Sequence, residues 1–275
     1  MKFLISRILN RLSVLEFFNI YSNVTINNVS FKIPVLHSIG FGNRGDTEPW
    51  LNKVFAKLLA TADPLFIDVG VNLGQTLLKV KSIKPNIEYI GIEPSPTCVN
   101  YVNALVKANN IHKTNFICAG LSDKIGIDVL EGFSQEDTRS TMKSGTISGT
   151  GKVIKTFIPT ITLNQLSDVC NFKDKQIIIK IDVERFEYNV IKGGKQVIST
   201  FQPVMVCEVL PDLDNIDYIN ENAKLYSLLV DLGYSILRIN LDETYTKVSS
   251  FINRDNWEMC EYIFLPASHH FLKQA

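Results

Sequence analysis

A short segment near residue 70 combines an acid, two glycines and an asparagine at a regular spacing. Asp68, Gly70, Asn72 and Gly74 occupy alternate positions in the stretch FIDVGVNLGQ, between an apolar run and a helical pattern. Gly70 would let the backbone turn tightly, and Gly74 would let a helix begin close to a ligand. The spacing differs from the G-x-G-x-x-G loop of dinucleotide-binding proteins. The segment therefore predicts a ligand-binding loop of another class.

A second acid ends the next apolar run. Glu93 closes the stretch IGIE and lies 19 residues after Gly74. A carboxylate at the end of such a strand can accept hydrogen bonds from both ribose hydroxyls of an adenosine-containing ligand. A glycine turn or a strand-ending acid is weak evidence alone, because many α/β proteins contain one. The two together, in this order, predict that the protein binds a nucleotide-type cofactor.

Two more acids, Asp182 and Glu184, follow a third apolar run, QIIIKI. Acids pack poorly at the end of a buried strand, so a functional role is favoured for both. A helix N-terminus also stabilises acids through its dipole, and this structural explanation applies best to Glu187. We expect Asp182 and Glu184 to face the ligand, because ligands of α/β sheets bind beyond the carboxyl ends of the strands.

The elements that must position these acids alternate along the chain. Runs rich in Val and Ile predict strands, and apolar residues at i, i+3 and i+4 predict helices between them. Strands are predicted at 65–69, 88–92, 115–119, 126–130, 153–158, 176–181, 203–209, 235–240 and 261–265, and helices at 48–62, 74–83, 95–109, 163–170, 186–199 and 219–232. This pattern indicates an α/β fold with a doubly wound, mainly parallel sheet covered by helices on both faces.

The first 49 residues depart from this alternation. Leu4, Ile8, Leu12 and Leu15 recur at helical spacing, and the segment 21–39 predicts a small hairpin. Charged residues interrupt every apolar run, so we expect neither a signal peptide nor a membrane span. The helix could pack on its own domain, on a second copy in a homo-oligomer, or on a membrane surface. We expect a small N-terminal extension at 1–49 and one α/β domain at 50–275.

The stretch 132–152 is crowded with Gly, Ser and Thr and lacks apolar periodicity. This composition predicts a flexible surface loop. Long loops in compact domains often cover binding sites, although an insertion without defined structure fits the sequence equally well. We expect the loop on the substrate side, where Arg139 could bind an anionic group or remain solvated.

Composition limits the class of protein. The 275 residues include 28 Lys and Arg against 28 Asp and Glu, with 45% hydrophobic residues, which is typical of a globular protein. A net charge of zero argues against a nucleic-acid partner, since phosphate binding needs surplus Lys and Arg. The five cysteines show neither metal-ligand nor disulfide spacing. Free thiols predict a reducing compartment, and we expect a cytoplasmic location.

In their order, these segments resemble the FkbM family of S-adenosylmethionine-dependent methyltransferases. FIDVGVNLGQ resembles the family's cofactor loop, IGIEPSP its ribose-binding strand end, ICAGLSDKIG the segment after its third strand, IIIKIDVERFEYNVIKGG its K-I-D-V-E-G block and PVMVCEV its Glu-bearing strand. The resemblance covers residues 50–265. Val71 stands where the family usually has Ala, and Arg185 stands where it usually has Gly.

The resemblance implies a class I, Rossmann-like fold with a seven-stranded, mainly parallel sheet and an antiparallel C-terminal strand. It also implies S-adenosylmethionine as the cofactor. The loop residues Asp68, Gly70, Asn72 and Gly74 would hold its methionine end. Glu93 would hold the ribose, and Ser122 and Asp123 would lie near the adenine. Because the family usually methylates hydroxyl oxygens of small molecules, sugars or polyketides, the partner implied is a small-molecule or glycan acceptor.

Methyl transfer to a hydroxyl depends on alignment and gains from a base that removes the proton. We hypothesise that Asp182 is this catalytic base and that Glu184 orients the substrate or shares the role. We predict no metal, although Asp182 and Glu208 could jointly hold a divalent ion such as Mg²⁺ in an alternative mechanism. Among the four histidines, His37 is the one that could replace a carboxylate as base.

Three other functions fit the sequence less well. A nicotinamide-dependent oxidoreductase would carry the G-x-G-x-x-G loop, and a suitably placed Tyr-x-x-x-Lys pair is also missing. A nucleic-acid methyltransferase would carry an Asn/Asp-Pro-Pro-aromatic motif and surplus basic residues. A cofactor-binding protein without catalysis remains an alternative, for which Arg185 is the only indication.

Overall fold

Strands and helices alternate in the order that the hydrophobic pattern predicts. The structure, a computed structural model, describes residues 18–60, 64–133, 140–145, 152–251, 260–267 and 269. Its strands are β1 (Asn19–Ile26), β2 (Val29–Leu36), β3 (Pro64–Val69), β4 (Glu88–Ile92), β5 (Thr114–Ile117), β6 (Gly120–Leu121), β7 (Gly126–Gly132), β8 (Ile154–Ile161), β9 (Gln176–Ile181), β10 (Val204–Glu208), β11 (Tyr234–Ile239), β12 (Tyr245–Lys247) and β13 (Glu261–Pro266). Its α-helices are α1 (Trp50–Leu58), α2 (Gln75–Ile83), α3 (Pro96–Ala108), α4 (Leu163–Val169), α5 (Glu187–Gly193), α6 (Lys195–Phe201) and α7 (Ile216–Asp231).

The central sheet has the order β12-β11-β13-β10-β9-β3-β4-β5 in the described part of the chain. The neighbours β10, β9, β3, β4 and β5 are parallel, whereas β13 runs antiparallel between β10 and β11. Helices cover both faces of the parallel strands, which explains their continuous Val and Ile runs. The α/β fold and the antiparallel C-terminal strand are therefore confirmed.

The predicted count of seven strands is wrong, because eight described strands form the sheet. The additional strand, β12, pairs antiparallel with β11 at the edge. A tight turn joins them, in which the Asn240 amide donates to the Thr244 carbonyl at 3.0 Å. β12 has only three residues, too few for period-two alternation to reveal it.

Two of the predicted strands lie outside the central sheet. The segments predicted at 126–130 and 153–158 form β7 and β8, which make a separate three-stranded sheet with β6. The helix predicted at 186–199 is instead two helices, α5 and α6, separated at Gly194. The chain passes close to its own backbone there, since a Cβ on Gly193 would lie 2.1 Å from the Ser122 carbonyl oxygen.

The helices form two apolar layers, one on each face of the central sheet. The first layer contains buried side chains of α1, α2, α3 and the β1–β2 hairpin, and the second contains those of α4, α5, α6 and α7. Because each helix buries one apolar stripe, the sheet is held between the layers and its strand ends are fixed.

The predicted hairpin at 21–39 is confirmed as β1 and β2, which pair antiparallel. The hairpin packs on α3, where the Tyr101 hydroxyl donates to the Pro34 carbonyl at 2.9 Å. The helix predicted from Leu4 to Leu15 lies outside the described residues, and the division into 1–49 and 50–275 stays a prediction. None of the described helices combines the length and the apolarity needed to cross a bilayer.

Candidate active site

A cavity of about 290 Å³ opens at the carboxyl ends of the parallel strands. Gly70 follows β3, Glu93 follows β4, Asp182 follows β9 and Glu208 ends β10, and all four residues line the cavity. Ligands of doubly wound sheets bind at this edge, in the crevice outside the carboxyl ends of the strands. Four strand ends therefore bring the predicted loop, the predicted ribose acid and the predicted base to one cavity.

The loop after β3 depends on glycine at two positions. Gly70 has a φ of 87°, and a Cβ there would lie 1.8 Å from the Asp182 carbonyl oxygen. Its amide donates to the Ile92 carbonyl at 2.9 Å, which joins the loop to β4. Gly74, with a φ of 81°, directly precedes α2 and lies outside the cavity lining. Gly70 therefore shapes the cavity directly, and Gly74 sets the start of the helix beside it.

Glu93 connects two loops at the cavity wall. Its Oε2 accepts from the Asn72 amide and its Oε1 accepts from the Ser95 amide, each at 2.8 Å. Burial raises the pKa of Glu93 to about 7, against the opposing effect of these two amides. Each carboxylate oxygen has a second lone pair, so Glu93 can still accept hydrogen bonds from ribose hydroxyls. Asn72 also lines the cavity, so both predicted residues lie where a nucleoside can reach them.

Asp68 lies beneath the cavity, outside its lining. It is 1% exposed, its Oδ2 accepts a hydrogen bond from the Tyr89 hydroxyl, and its Oδ1 has no hydrogen-bond partner. Burial raises the pKa of Asp68 to about 7. Asp68 therefore lies behind the loop after β3, and its contact with the methionine end of a cofactor stays a prediction.

Ser122 and Asp123 are also outside the cavity lining. The Ser122 amide donates to the Ile161 carbonyl at 2.9 Å. Asp123 forms an ion pair with Lys192 at 2.6 Å, and the hydrogen bond from Lys192 lowers the pKa of Asp123. The residues just before them, Ala119, Gly120 and Leu121, line the cavity instead. Small and apolar residues of this kind form no recognisable motif, so their role at the cavity could not be predicted from the sequence.

Asp182 and the buried Glu261 share one buried ammonium group, that of Lys180. Lys180 is 1% exposed, and its Nζ lies 3.1 Å from Glu261 Oε1 and 3.6 Å from Asp182 Oδ2. Although burial lowers the pKa of Lys180, the carboxylates of Glu261 and Asp182 outweigh it and raise the pKa well above its usual range. Lys180 belongs to none of the motifs, but a lysine inside the apolar run QIIIKI indicates that a buried acid accompanies it.

Glu208 lies beside Asp182 in the same wall. Burial raises the pKa of Glu208 well above its usual range, and the negative charge of Asp182 and a hydrogen bond between the two carboxyl groups act in the same direction. The ligand atoms of Asp182 and Glu208 lie within 4.8 Å of each other. The structure therefore places two neighbouring carboxyl groups at the ends of β9 and β10.

Three of these acids could also hold a cation. Ligand atoms of Asp182, Glu184 and Glu208 all lie within 4.8 Å of one another, and a second group contains Glu48, Glu208 and Glu261. Carboxylate oxygens suit Mg²⁺, which prefers hard oxygen ligands. The metal alternative considered for Asp182 and Glu208 is thus compatible with their positions. Lys180 already supplies one positive charge to the same wall.

The backbone of the turn after β9 accounts for the glycine that usually stands at the position of Arg185 in the K-I-D-V-E-G block. Glu184 and Arg185 both have left-handed backbones, with φ values of 52° and 75°, a region that glycine adopts most readily. The Arg185 guanidinium stacks 3.8 Å from the Tyr218 ring centre and donates to the Pro211 carbonyl at 2.8 Å. Cation–π stacking of this kind is worth about 0.5–1 kcal/mol at exposed sites. Arg185 is therefore anchored on α7, outside the cavity lining.

Part of the predicted loop at 132–152 reaches the cavity. Ser140 and Met142 line it, and the Thr141 hydroxyl donates to the Glu184 carbonyl at 2.5 Å. The Glu131 carboxylate holds the segment, since it accepts from the Ser144 hydroxyl at 2.9 Å and from the Gly145 amide at 3.0 Å. Arg139 and the segments 134–139 and 146–151 lie outside the described residues.

Histidine is absent from the cavity lining in the described part of the chain. His37, the histidine considered as an alternative base, follows β2 in a left-handed turn. His269 comes shortly after β13, and His270 lies outside the described residues. Among the described lining residues, the side chains able to accept a proton near neutral pH are carboxyl groups.

Solved structures with similar folds are methyltransferases from several organisms. The methyltransferase FkbM of Methylobacillus flagellatus KT aligns with 76% of this chain and 47% of its own, at 15% identity and a TM-score of 0.45. The precorrin-6y C5,15-methyltransferase of Geobacter metallireducens GS-15 covers 79% of this chain and 87% of its own, at 13% identity and a TM-score of 0.40. The tRNA (uracil-54, C5)-methyltransferase of Pyrococcus abyssi, in complex with S-adenosyl-L-homocysteine, covers 89% and 43%, at 9% identity and a TM-score of 0.42.

The chain thus spans about half the length of the first of these relatives, 47% of it. No curated protein matches the sequence.

The family assignment rests on the sequence itself. The model of the methyltransferase FkbM domain matches residues 68–236, which include the loop after β3, Glu93, the acids after β9 and the end of β10. This match spans more than half of the chain and contains every strand end that meets at the cavity. The protein belongs to the FkbM family of methyltransferases.

Proposed function

We propose that the protein transfers a methyl group from S-adenosylmethionine to a hydroxyl oxygen of a sugar, a glycan or another small-molecule natural product. The observation that carries the proposal is the meeting of Gly70, Glu93 and Asp182 around one cavity. Gly70 provides a tight turn at the cavity, Glu93 provides a hydrogen-bond acceptor for ribose hydroxyls, and Asp182 provides a proton acceptor. O-methylation by a nucleoside cofactor requires groups of these kinds.

The residues present fit the cofactor. Gly70 lets the loop after β3 pack against the Asp182 carbonyl oxygen, which a Cβ would meet at 1.8 Å, and Glu93 keeps lone pairs that can accept from ribose hydroxyls after binding two backbone amides. Asn72 is held beside Glu93 by its own amide, so the wall is formed before a ligand binds. When bound, S-adenosylmethionine supplies an electrophilic methyl group.

In this proposal Asp182 accepts the proton of the acceptor hydroxyl. Glu208 lies beside Asp182 in the same wall, and Lys180 stabilises the negative charge of Asp182 from below. Glu184 lines the same wall and orients the acceptor. Most of the acceleration comes from holding the hydroxyl in line with the reacting bond, and a well-placed base adds about 100-fold or more.

The Asp182→Asn variant tests the assignment of the base. We expect methyl transfer from labelled cofactor to fall by about 100-fold or more, because the amide cannot accept the proton. Binding of S-adenosylhomocysteine, measured by calorimetry, should change little. The matched control is Asp168→Asn, which makes the same change at an exposed position on α4. Near-normal turnover of Asp182→Asn with intact cofactor binding would refute the assignment.

Two alternative functions are separated by ligand binding. A nicotinamide-dependent oxidoreductase would bind NAD and ignore S-adenosylhomocysteine, and our proposal expects the reverse at micromolar ligand. A cofactor-binding protein without catalysis would bind S-adenosylhomocysteine but transfer no methyl group to any member of a broad panel of glycosides and polyketides.

A cytoplasmic location and a non-nucleic-acid acceptor are part of the proposal. None of the five cysteines forms a disulfide in the structure, which supports a reducing compartment. The balanced charge of the chain, 28 basic against 28 acidic residues, supports an acceptor other than nucleic acid.

A further inference from the structure

The charged groups that line the cavity are of one sign. Its lining includes the five acids Glu48, Glu93, Asp182, Glu184 and Glu208, and it contains no Lys, Arg or His in the described part of the chain. Glu93 and the loop after β3 form one wall, the nucleoside wall. The other four acids lie on the opposite side, the acceptor wall, where the predicted base would meet its substrate. An acceptor therefore approaches the reacting atoms along a wall of carboxyl groups.

Two described cations that adjoin lining residues in the sequence, Arg185 and Lys143, are held by other partners. Arg185 stacks on the Tyr218 ring and donates to the Pro211 carbonyl. Lys143 forms an ion pair with Glu221 and lies 5.2 Å from the centre of the same ring. Both side chains are thus directed towards α7. Neither one is available in this arrangement to neutralise an anionic substrate.

Lys180 is the cation closest to the acids, but it lies beneath them. It is 1% exposed, and Glu261 and Asp182 both lie within ion-pair distance of its Nζ. Its charge is therefore matched by protein carboxylates before any ligand arrives. A ligand in the cavity meets the oxygens of Asp182 and Glu208 and does not contact the ammonium group.

We propose that the acceptor side of this cavity selects molecules that carry no negative charge near the reacting hydroxyl, namely neutral polyols or amine-bearing sugars. The inference rests on the proposed function and specifies its substrate class. Carboxylates accept hydrogen bonds from O–H and N–H groups. A phosphate or carboxylate at the same place meets like charges at short range, where the reduced dielectric constant strengthens repulsion. Uronic acids and phosphorylated sugars are therefore excluded.

Ligands that share the adenosyl group can place different charges at the transfer point. Carboxy-S-adenosylmethionine keeps the sulfonium of S-adenosylmethionine and adds a carboxylate to the methyl group. Sinefungin places an ammonium group where S-adenosylhomocysteine has none. By calorimetry in the presence of EDTA, we expect the carboxylated ligand to bind at least about tenfold more weakly than S-adenosylmethionine, since like charges repel. Sinefungin should bind more tightly than S-adenosylhomocysteine.

Shape-preserving variants separate charge from crowding. Glu184→Gln should reduce the discrimination against the carboxylated ligand by about threefold or more, because it removes one charge and keeps the side-chain volume. Asp168→Asn, on the exposed face of α4, should leave it unchanged. If crowding caused the weak binding, Glu184→Gln would have no effect and the proposal would fail.

The remaining outcomes are also decisive. Equal or tighter binding of carboxy-S-adenosylmethionine overturns the proposal. Equal binding that appears only after Mg²⁺ replaces EDTA overturns it too, since a cation then makes the wall suitable for anions. If none of the four adenosyl ligands binds, the proposed function itself is wrong, and the two failures are thus distinguishable.

Discussion

The two walls of the cavity are built by different means. The nucleoside wall, formed by the loop after β3 and by Glu93, is held by backbone groups: the amides of Gly70, Asn72 and Ser95 all have defined acceptors. The acceptor wall is held by side-chain charges, with Lys180 between Glu261 and Asp182. One wall depends on backbone conformation, and the other depends on charge balance.

This difference predicts how each wall fails. Backbone-held walls tolerate many side-chain changes but not a change that alters φ or fills the space beside the chain. Charge-held walls tolerate changes of shape but lose stability when one member of a buried group is removed, because the remaining charges stay buried without compensation. Substitutions in the two walls can test this contrast.

Gly70→Ala should have the largest effect. The new Cβ would overlap the Asp182 carbonyl oxygen at 1.8 Å, and the φ of 87° is unfavourable for alanine. Strain and overpacking together should cost about 4 kcal/mol of unfolding free energy, and S-adenosylhomocysteine binding should be lost. Denaturant unfolding and calorimetry measure both. Gly126→Ala is the control, because its Cβ would meet only the Thr160 hydroxyl at 4.0 Å.

Two buried lysines give the next prediction. Lys180→Met should lower the unfolding free energy by about 3 kcal/mol or more, because Glu261 and Asp182 lose their shared cation. Lys79→Met should cost less, about 1 kcal/mol, because the side chains of its partners Asp46 and Glu48, at 3.8 Å and 4.0 Å, are 24% and 33% exposed and can be solvated without the ammonium group. Equal losses in urea unfolding would show that burial of the partner acids does not decide the cost of losing the cation.

Asp68→Asn gives a smaller, pH-dependent effect. Burial raises the pKa of Asp68 to about 7 from 3.8, so its contribution to stability is complete at low pH and is lost as the pH rises through about 7. The variant lacks this loss. Relative to the wild type, it should therefore gain about 2 kcal/mol of unfolding free energy between about pH 5 and pH 8. A constant difference across this range would contradict the expected titration.

The same variant tests the role of Asp68 at the nucleoside wall. Since Asp68 lies outside the cavity lining, S-adenosylhomocysteine should bind to Asp68→Asn within about threefold of the wild type, a difference below 1 kcal/mol. A much weaker affinity would support the direct contact between Asp68 and the cofactor that the family resemblance implies.

The smallest effect is expected at Arg185. Arg185→Gly removes left-handed strain worth about 1 kcal/mol but also removes the stacking on Tyr218, worth about the same. The unfolding free energy should therefore stay within about 1 kcal/mol of the wild type. Tyr218→Leu removes the ring and keeps the strain, so it should be the less stable of the two variants in the same denaturant titration.

The contrast between the walls also explains what could be predicted from the sequence. Gly70, Asn72 and Glu93 were selected because backbone-held sites need particular residue types at fixed spacing, and such spacing is visible along one strand and one loop. The strand and helix order was predictable for a related reason, since each buried element must show its own apolar period. The described elements agree with that order almost throughout.

The acceptor wall could be predicted only in part. Asp182, Glu184 and Glu208 follow or end strands, where a sequence pattern can locate them. Glu48 joins the lining from a distant segment, and Glu261 lies buried behind it beside Lys180. Glu261 opposes Glu208 across an antiparallel pairing, a register that no local pattern encodes. The reverse holds for Ser122 and Asp123, whose place near an adenine stays a prediction, while the small residues before them, Ala119 to Leu121, line the cavity without a recognisable motif.

The place of β13 in the sheet has a consequence for synthesis of the chain. β13 is the last described strand in the sequence, yet it lies between β10 and β11, and its first residue, Glu261, pairs with Lys180. A ribosome-bound chain that has not yet released Glu261 therefore lacks an internal strand and leaves Lys180 without its main partner. The residues of the nucleoside wall all precede β10, so they are synthesised before Glu261 can complete the charge balance of the acceptor wall.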